Sequence, residues 1–121
     1  MSSNIVAEKS LEFAVRIVKL YQHLKDNNSE YVMSKQLLKS GTSIGANVRE
    51  AVYGYSKKDF SAKMGIALKE ASETAYWIEL LHRTEYLNSV QYKSISADCQ
   101  ELIKLLTSIV KNSKHSTNDS C

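Results

Sequence analysis

Proline is absent from the whole 121-residue chain, and only four residues are glycine. These two residue types disfavour the interior of a helix most strongly, so helices in this chain can run long. Apolar residues recur at intervals of three and four through four stretches, which is the period of one helix face. We predict helices over residues 4–26, 30–55, 57–86 and 90–111. Because only short turns separate them, the predicted fold class is all-α, an antiparallel up-down-up-down four-helix bundle.

The first predicted helix has an unusually wide apolar face. Its members form two adjacent stripes, Leu11, Ala14, Val15, Val18 and Tyr21 in one and Phe13, Ile17, Leu20 and Leu24 in the other. A face this broad must be buried on more than one side, either inside the bundle or against another subunit.

The second predicted helix has an apolar side and a glycine flank. The apolar side carries Met33, Leu37, Ser40, Ile44, Val48, Ala51 and Tyr55. Gly41 and Gly45 lie on one flank, where each costs about 1 kcal/mol of helix stability relative to alanine. We expect these glycines to let a neighbouring helix backbone approach closely. Ser56 and Ser89 are the predicted N-caps of the third and fourth helices.

The composition is that of one ordinary globular domain, with 43% apolar and 24% charged residues. We predict a bundle domain over residues 1–112 and a polar, disordered tail over residues 113–121. No run of about 18 apolar residues exists and no signal peptide pattern is present, which favours a cytoplasmic protein with no membrane partner. Cys99 and Cys121 make no disulfide framework, and Cys99 fits a small buried hydrophobe.

Positive charge is concentrated in one quarter of the chain. Residues 31–60 hold five basic and two acidic side chains, a net charge of +3. This equals the net charge of the whole chain, so the remaining residues sum to zero. On the second predicted helix the basic residues lie opposite the apolar side, where they could neutralise phosphates, and a tyrosine there could stack on an unpaired base. The candidate nucleic-acid-binding residues are Lys35, Lys39, Arg49, Tyr53, Lys57 and Lys58. The same pattern also fits a plain solvated helix face.

Catalytic and metal-binding patterns are incomplete. A di-metal carboxylate bundle needs two Glu-x-x-His pairs, and this chain has one, Glu79 with His82. No nucleophile elbow, P-loop or dinucleotide fingerprint is present. We therefore predict no enzymatic activity, no catalytic residue, no metal and no cofactor, with a metal-carboxylate enzyme as the alternative that this motif leaves open.

Three segments, TSIGANVREA, SKKDF and ALKEASETAYWIELL, closely resemble the bacterial four helix bundle protein family, also called the 23S rRNA intervening-sequence protein or S23 ribosomal protein. The resemblance extends to KSLEFAVRIVKLY, YVMSKQLLKSG and ELIKLLTSIVK, and so covers nearly the whole chain except the tail. It implies an antiparallel four-helix bundle that assembles as a homopentamer, without an enzymatic activity from which catalytic residues could be transferred.

The accessory protein of diversity-generating retroelements is similar in fold, is pentameric and is linked to nucleic-acid binding. The resemblance therefore implies further copies of the chain, RNA or DNA, or a reverse transcriptase as partners. Two hypotheses follow from the residues and the resemblance together. One is a pentamer that binds nucleic acid through the basic face, and the other is a structural or protein-interaction module with no nucleic-acid role.

Overall fold

The computed structural model describes the backbone of residues 2–119 and the side chains of residues 3–113. The chain forms four helices, α1 (Ser2–Asn28), α2 (Met33–Val52), α3 (Lys57–Arg83) and α4 (Ser89–Asp119). No strand occurs within the described backbone. The predicted all-α fold with four long helices is confirmed.

Each helix packs against two others in the ring order α1, α2, α3, α4, and the diagonal pairs have no Cα atoms within 8 Å of each other. Contacts across every neighbouring pair run in opposite directions along the two helices, which shows that the neighbours are antiparallel. Between α1 and α2 the contacts are Ser10–Gly45 and Ile17–Gly41, and between α2 and α3 they are Ser40–Thr74 and Glu50–Lys63. Between α3 and α4 they are Ala71–Cys99 and His82–Tyr92, and between α1 and α4 they are Lys9–Glu101 and Arg16–Asp98.

The core lies between the four helices and follows the predicted helical period. On α3 the buried residues are Met64, Ala67, Ala71, Thr74, Ile78 and Leu81, and on α4 they include Ile95, Cys99, Leu102 and Leu106. Buried polar groups in the core are paired: the Thr74 hydroxyl donates to Ser40 Oγ at 2.9 Å. Burial of Cys99 confirms its predicted role as a small hydrophobe.

The two α2 glycines adjoin α1, as predicted. A Cβ at Gly45 would lie 3.3 Å from the backbone oxygen of Ser10, and a Cβ at Gly41 would lie 2.8 Å from Ile17 side-chain carbons. Both distances are shorter than an ordinary van der Waals contact between these atoms. The glycines therefore set how closely α1 and α2 approach each other.

The ends of α2 differ from the prediction. The helix begins at Met33 rather than Glu30, because the Glu30 carboxylate accepts hydrogen bonds from the first backbone N–H groups of the helix. It ends at Val52 rather than Tyr55. The prediction that Tyr55 faces the core is therefore wrong: this residue follows the helix end and is fully exposed.

The end of α3 is set by backbone geometry that apolar periodicity does not report. Glu85 has a left-handed φ of 71°, the Glu85 N–H donates to the His82 oxygen at 3.1 Å, and the Tyr86 N–H donates to the Leu81 oxygen at 2.9 Å. These two bonds are those of a Schellman motif. The helix therefore stops at Arg83, not at the predicted Tyr86.

The cap of α4 also differs from the prediction. The Gln91 N–H donates to Asn88 Oδ1 at 2.8 Å, and the Asn88 N–H donates to Gln91 Oε1 at 2.9 Å. This reciprocal pair is a capping box, so Asn88 caps the helix and Ser89 is its first residue. The helix continues to Asp119, past the predicted end near Lys111, so helical backbone extends into the segment 113–121 predicted to be a disordered tail. The side chains of 114–119 and all of 120–121 lie outside the described residues.

Candidate nucleic-acid interface

The outer side of α2 presents the first three candidate residues to solvent. The buried side of the helix carries Ser34, Leu37, Ser40, Gly41, Ile44, Val48 and Ala51. This burial fixes the rotation of the helix and leaves Lys35, Lys39 and Arg49 exposed. At about 1.5 Å per residue, the Cα atoms of Lys35 and Arg49 are roughly 21 Å apart along the axis. The cations therefore form a row along most of the helix rather than a compact cluster.

Tyr53 is placed by the end of α2. Its backbone N–H donates to the Arg49 oxygen at 3.1 Å, and its side chain is 77% exposed. An aromatic ring this open can accept a planar partner on its face. The structure thus brings Tyr53 next to Arg49 and leaves Lys35 and Lys39 toward the other end of the helix.

Lys57 and Lys58 form the first turn of α3 and are both exposed. The turn is held by Ser56, whose Oγ accepts the Asp59 N–H at 3.0 Å, which confirms the predicted N-cap. Lys57 also lines a cavity of about 640 Å³ at this end of the bundle, to which all four helices contribute. The two lysines therefore extend the basic row across the α2–α3 turn.

The five cations of this row have no ion-pair partner among the described side chains. Glu50, the acidic residue of α2, instead pairs with Lys63 of α3 at 2.9 Å. The hydrogen bond and charge of Glu50 raise the pKa of Lys63. This pairing was not foreseen from the sequence, because it depends on the register of α3 against α2. Its result is that Glu50 does not neutralise the basic row.

Arg49 and Tyr53 also line a groove of about 150 Å³ together with Val52 and four α1 residues. The α1 residues are Asn4, Ala7, Glu8 and Leu11. Sequence reasoning missed the participation of α1 here. The available signal was the apolar stripe of α1 in which the Leu11, Val15 and Val18 side chains remain exposed.

The single Glu-x-x-His pair, Glu79 and His82, is engaged in other contacts. Glu79 Oε2 lies 2.7 Å from Arg83 Nη2, and the His82 ring stacks on Tyr92 with the ring centroids 4.1 Å apart. Across the described side chains, no three His, Cys, Asp or Glu residues are grouped so as to hold a metal ion. Among the described residues, no helix has the length and apolar character needed to cross a membrane.

Comparison with known proteins gives a family match and a similar solved structure. The family described as 23S rRNA-intervening sequence protein matches residues 2–108. A crystal structure from Bacteroides thetaiotaomicron VPI-5482, described as a protein of unknown function from the S23 ribosomal protein family, has 60% sequence identity and a TM-score of 0.90. The match covers 92% of this chain and 99% of that chain. No curated protein matches the chain significantly.

Proposed function

Because the chain belongs to the 23S rRNA-intervening sequence protein family, we propose that it is a non-enzymatic cytoplasmic homopentamer that binds RNA or another nucleic acid. The proposed interface is the outer face of α2 with the α2–α3 turn. The observation that carries this proposal is the row of five exposed cations, none of them paired among the described side chains.

Backbone phosphates are the part of a nucleic acid that fits this row. The cations are spread along about 21 Å of α2 and continue into the α2–α3 turn, and lysine and arginine at such spacing neutralise successive phosphates without reading sequence. Thr42 and Ala46 lie between Lys39 and Arg49 on the same face, so no bulky side chain prevents close approach of a strand there. Exposed Tyr53 adds a surface for an unpaired base.

Self-association would strengthen such a surface. A monomer offers one row, whereas a ring offers as many rows as it has copies, and the second contact of a long ligand becomes intramolecular. The proposed pentamer would therefore raise the avidity of the proposed binding.

The test replaces the two lysines at the start of α2. In the variant Lys35→Glu with Lys39→Glu, we expect affinity for a fluorescent RNA to fall at least tenfold at low salt. The slope of log affinity against log salt should flatten by about 1.5, because each lost phosphate contact removes roughly 0.7–0.9 from that slope. Fluorescence anisotropy at several salt concentrations measures both quantities.

The matched control carries Lys93→Glu with Lys104→Glu on α4. Both lysines are exposed, and α4 lies diagonally across the bundle from α2, with no Cα atoms within 8 Å of it. Either double variant takes the net charge from +3 to −1, so the control separates a local contact from the overall charge. Equal losses in the two variants would reject the α2 row as the interface.

A second candidate function is favoured by a different observation. The bodies of α1 and α3 expose large apolar side chains, including Leu11, Val15 and Ile66, as expected for a structural or protein-interaction module. That function excludes a nucleic-acid role, so absence of RNA and DNA binding by the wild-type protein at low salt would select it over the first.

A further inference from the structure

Within the described helix bodies, the large apolar side chains that are exposed lie on two helices, α1 and α3. Among the described residues, the large exposed hydrophobics on α1 are Ile5, Leu11, Val15 and Val18, and those on α3 are Ile66 and Tyr76. The others lie in loops or at a helix end, at Tyr31, Val32, Tyr53, Tyr55 and Val90. On α1, Phe13, Ile17 and Leu24 of one predicted stripe are buried in the bundle. The other predicted stripe, which contains Leu11, Val15 and Val18, keeps these side chains exposed.

Both exposed surfaces follow a heptad spacing of four and three. The α1 stripe consists of Asn4, Glu8, Leu11, Val15, Val18 and Gln22, and the α3 stripe consists of Ala62, Ile66, Lys69, Glu73, Tyr76 and Leu80. All of these side chains are exposed except Leu80, which is half-buried. This spacing is the one that packs one long helix along another, so the partner that fits each stripe is a helix with a similar stripe.

The two stripes point away from each other. α1 and α3 occupy diagonal corners of the bundle, with no Cα atoms within 8 Å of each other, so one copy cannot cover its α1 stripe with its own α3 stripe. A head-to-tail interface uses two different patches of the same molecule, and it closes into a ring when the rotation between copies allows. Two unlike stripes on opposite corners meet that requirement.

One pair of opposite charges is available between the stripes. Glu8 in the α1 stripe has no ion-pair partner among the described residues, and neither has Lys69 in the α3 stripe. The Glu73 carboxylate beside Lys69 accepts the Trp77 indole N–H at 3.1 Å. Glu8 of the α1 stripe can therefore pair with Lys69 of the α3 stripe across an interface, while Glu73 is already engaged by Trp77 of its own helix.

We infer that the α1 stripe of one copy packs on the α3 stripe of the next copy, in a head-to-tail assembly. This inference rests on the self-association proposed above and names the surfaces that form it. Leu11 and Glu8 of the α1 stripe also line the groove that holds Arg49 and Tyr53. A neighbouring copy on the α1 stripe therefore supplies one wall beside these two candidate nucleic-acid residues.

Two variants, each altering one stripe, test the inference. The α1 variant carries Leu11→Lys with Val15→Lys, and the α3 variant carries Ile66→Lys with Tyr76→Lys. Each adds charge at exposed helix positions, and lysine is a good helix former, so the helical circular dichroism should stay unchanged. Light scattering should show each variant as a monomer of 13.6 kDa under conditions in which the wild-type protein assembles.

Mixing the two variants separates a head-to-tail interface from a symmetric one. Each variant retains the stripe that the other lacks, so an equimolar mixture should form a 1:1 dimer of about 27 kDa, twice the 13.6 kDa chain. A symmetric interface between identical stripes gives no such rescue. The control, Val32→Lys with Val90→Lys, changes two exposed valines outside both stripes and should assemble like the wild type.

The outcomes distinguish this inference from the proposed function. A wild-type monomer would reject the pentamer and this interface together. A wild-type assembly that persists in the α1 variant, or a mixture that stays monomeric, would reject only the head-to-tail interface. Val15→Gln, which introduces no charge, is a milder variant for the case that a double variant unfolds, and it should raise the dissociation constant of the assembly about tenfold.

Discussion

At the scale of single residues, the Glu30 side chain caps the start of α2. Its carboxylate accepts the backbone N–H groups of Val32, Met33 and Ser34 at 3.1, 2.9 and 2.7 Å, and the Ser34 hydroxyl donates to the Glu30 backbone oxygen at 2.7 Å. Desolvation by burial raises the pKa of Glu30, but the hydrogen bonds from Met33, Ser34 and Val32 outweigh it, and the pKa is lowered. A negative charge at this position also interacts favourably with the α2 dipole.

Glu30→Gln should therefore lower the free energy of unfolding in a pH-dependent way. A lowered carboxyl pKa stabilises the fold above the unfolded value near 4.5, and this contribution is lost as the pH falls through the folded value. We expect the variant to be less stable by about 1 kcal/mol at pH 7. Urea unfolding measured at neutral pH and well below 4.5 gives the comparison.

The difference between wild type and Glu30→Gln should shrink toward zero at the acidic pH, because the wild-type carboxyl is then protonated too. A difference of the same size at both pH values would show that the charge of Glu30 does not contribute.

Residue-scale features of this kind are the least predictable from the sequence. Ser56 was predicted as a cap because serine is a common N-cap residue and its position followed an obvious break. Glu30 and Asn88 act through local hydrogen-bond geometry that apolar periodicity does not contain. The prediction that Tyr55 faces the core assumes a helix that reaches this residue, whereas α2 ends at Val52.

At the scale of elements, the spacing between α1 and α2 depends on Gly41. A Cβ there would lie 2.8 Å from two carbons of the fully buried Ile17. Gly65 of α3 is also helical, but a Cβ there would meet no atom within 4 Å. The two glycines thus have the same helix propensity and opposite surroundings.

Gly41→Ala should lower the free energy of unfolding by about 1–3 kcal/mol, because overpacking at Ile17 outweighs the gain of about 1 kcal/mol in helix propensity. The control Gly65→Ala should raise it by up to about 1 kcal/mol. Denaturant titration of both variants tests the contact, and a Gly41→Ala protein as stable as Gly65→Ala would mean that the two helices can separate freely at this point.

The number of helices, their type and their core positions were predictable, because a 3.6-residue period persists through each segment. The apolar residues that this period aligns on α3 are all buried from Met64 to Leu81, and Phe60 at the start of the same stripe is half-buried. The role of Gly41 and Gly45 was also predictable, since two glycines four residues apart on one helix flank have a helix-packing explanation. The register between helices was not predictable, and the Glu50–Lys63 pair was missed because it depends on that register.

At the scale of the whole molecule, Cys99 reports on the opening of the bundle. Its side chain has no exposed surface, its Sγ lies 3.4 Å from the Ala71 oxygen on α3, and burial raises the pKa of the thiol to about 12. Both the access and the thiolate needed for reaction are therefore missing while α3 and α4 remain packed.

In a Cys121→Ser chain, we expect a thiol reagent at pH 8 to label Cys99 at least a thousandfold more slowly in the native protein than in urea. The native rate should rise with urea in parallel with the unfolded population. When the reagent is an aromatic disulfide, the absorbance of the aromatic thiolate that it releases measures the labelling rate. Fast labelling in the absence of urea would contradict the buried position of Cys99.

The candidate interface was predictable only in part at this scale. The wheel correctly separates Lys35, Lys39 and Arg49 from the buried side of α2, since one helix determines that separation. The groove that joins Arg49 and Tyr53 to Leu11 of α1 depends on how two distant segments meet, and no local pattern reports it.

The two ends of the antiparallel bundle carry different chemical groups. Ser3 of α1 and Asn112 of α4 line the same cavity as Lys57, so the outer ends of the first and last helices meet beside the basic α2–α3 turn. The opposite end carries the Glu30 loop and the Schellman turn at Glu85. In a cyclic assembly all copies point the same way, so a ring of this chain has two chemically different sides. A nucleic-acid strand that approaches such a ring would meet the Lys57–Lys58 turn with the exposed Tyr53 and Tyr55 from one side only.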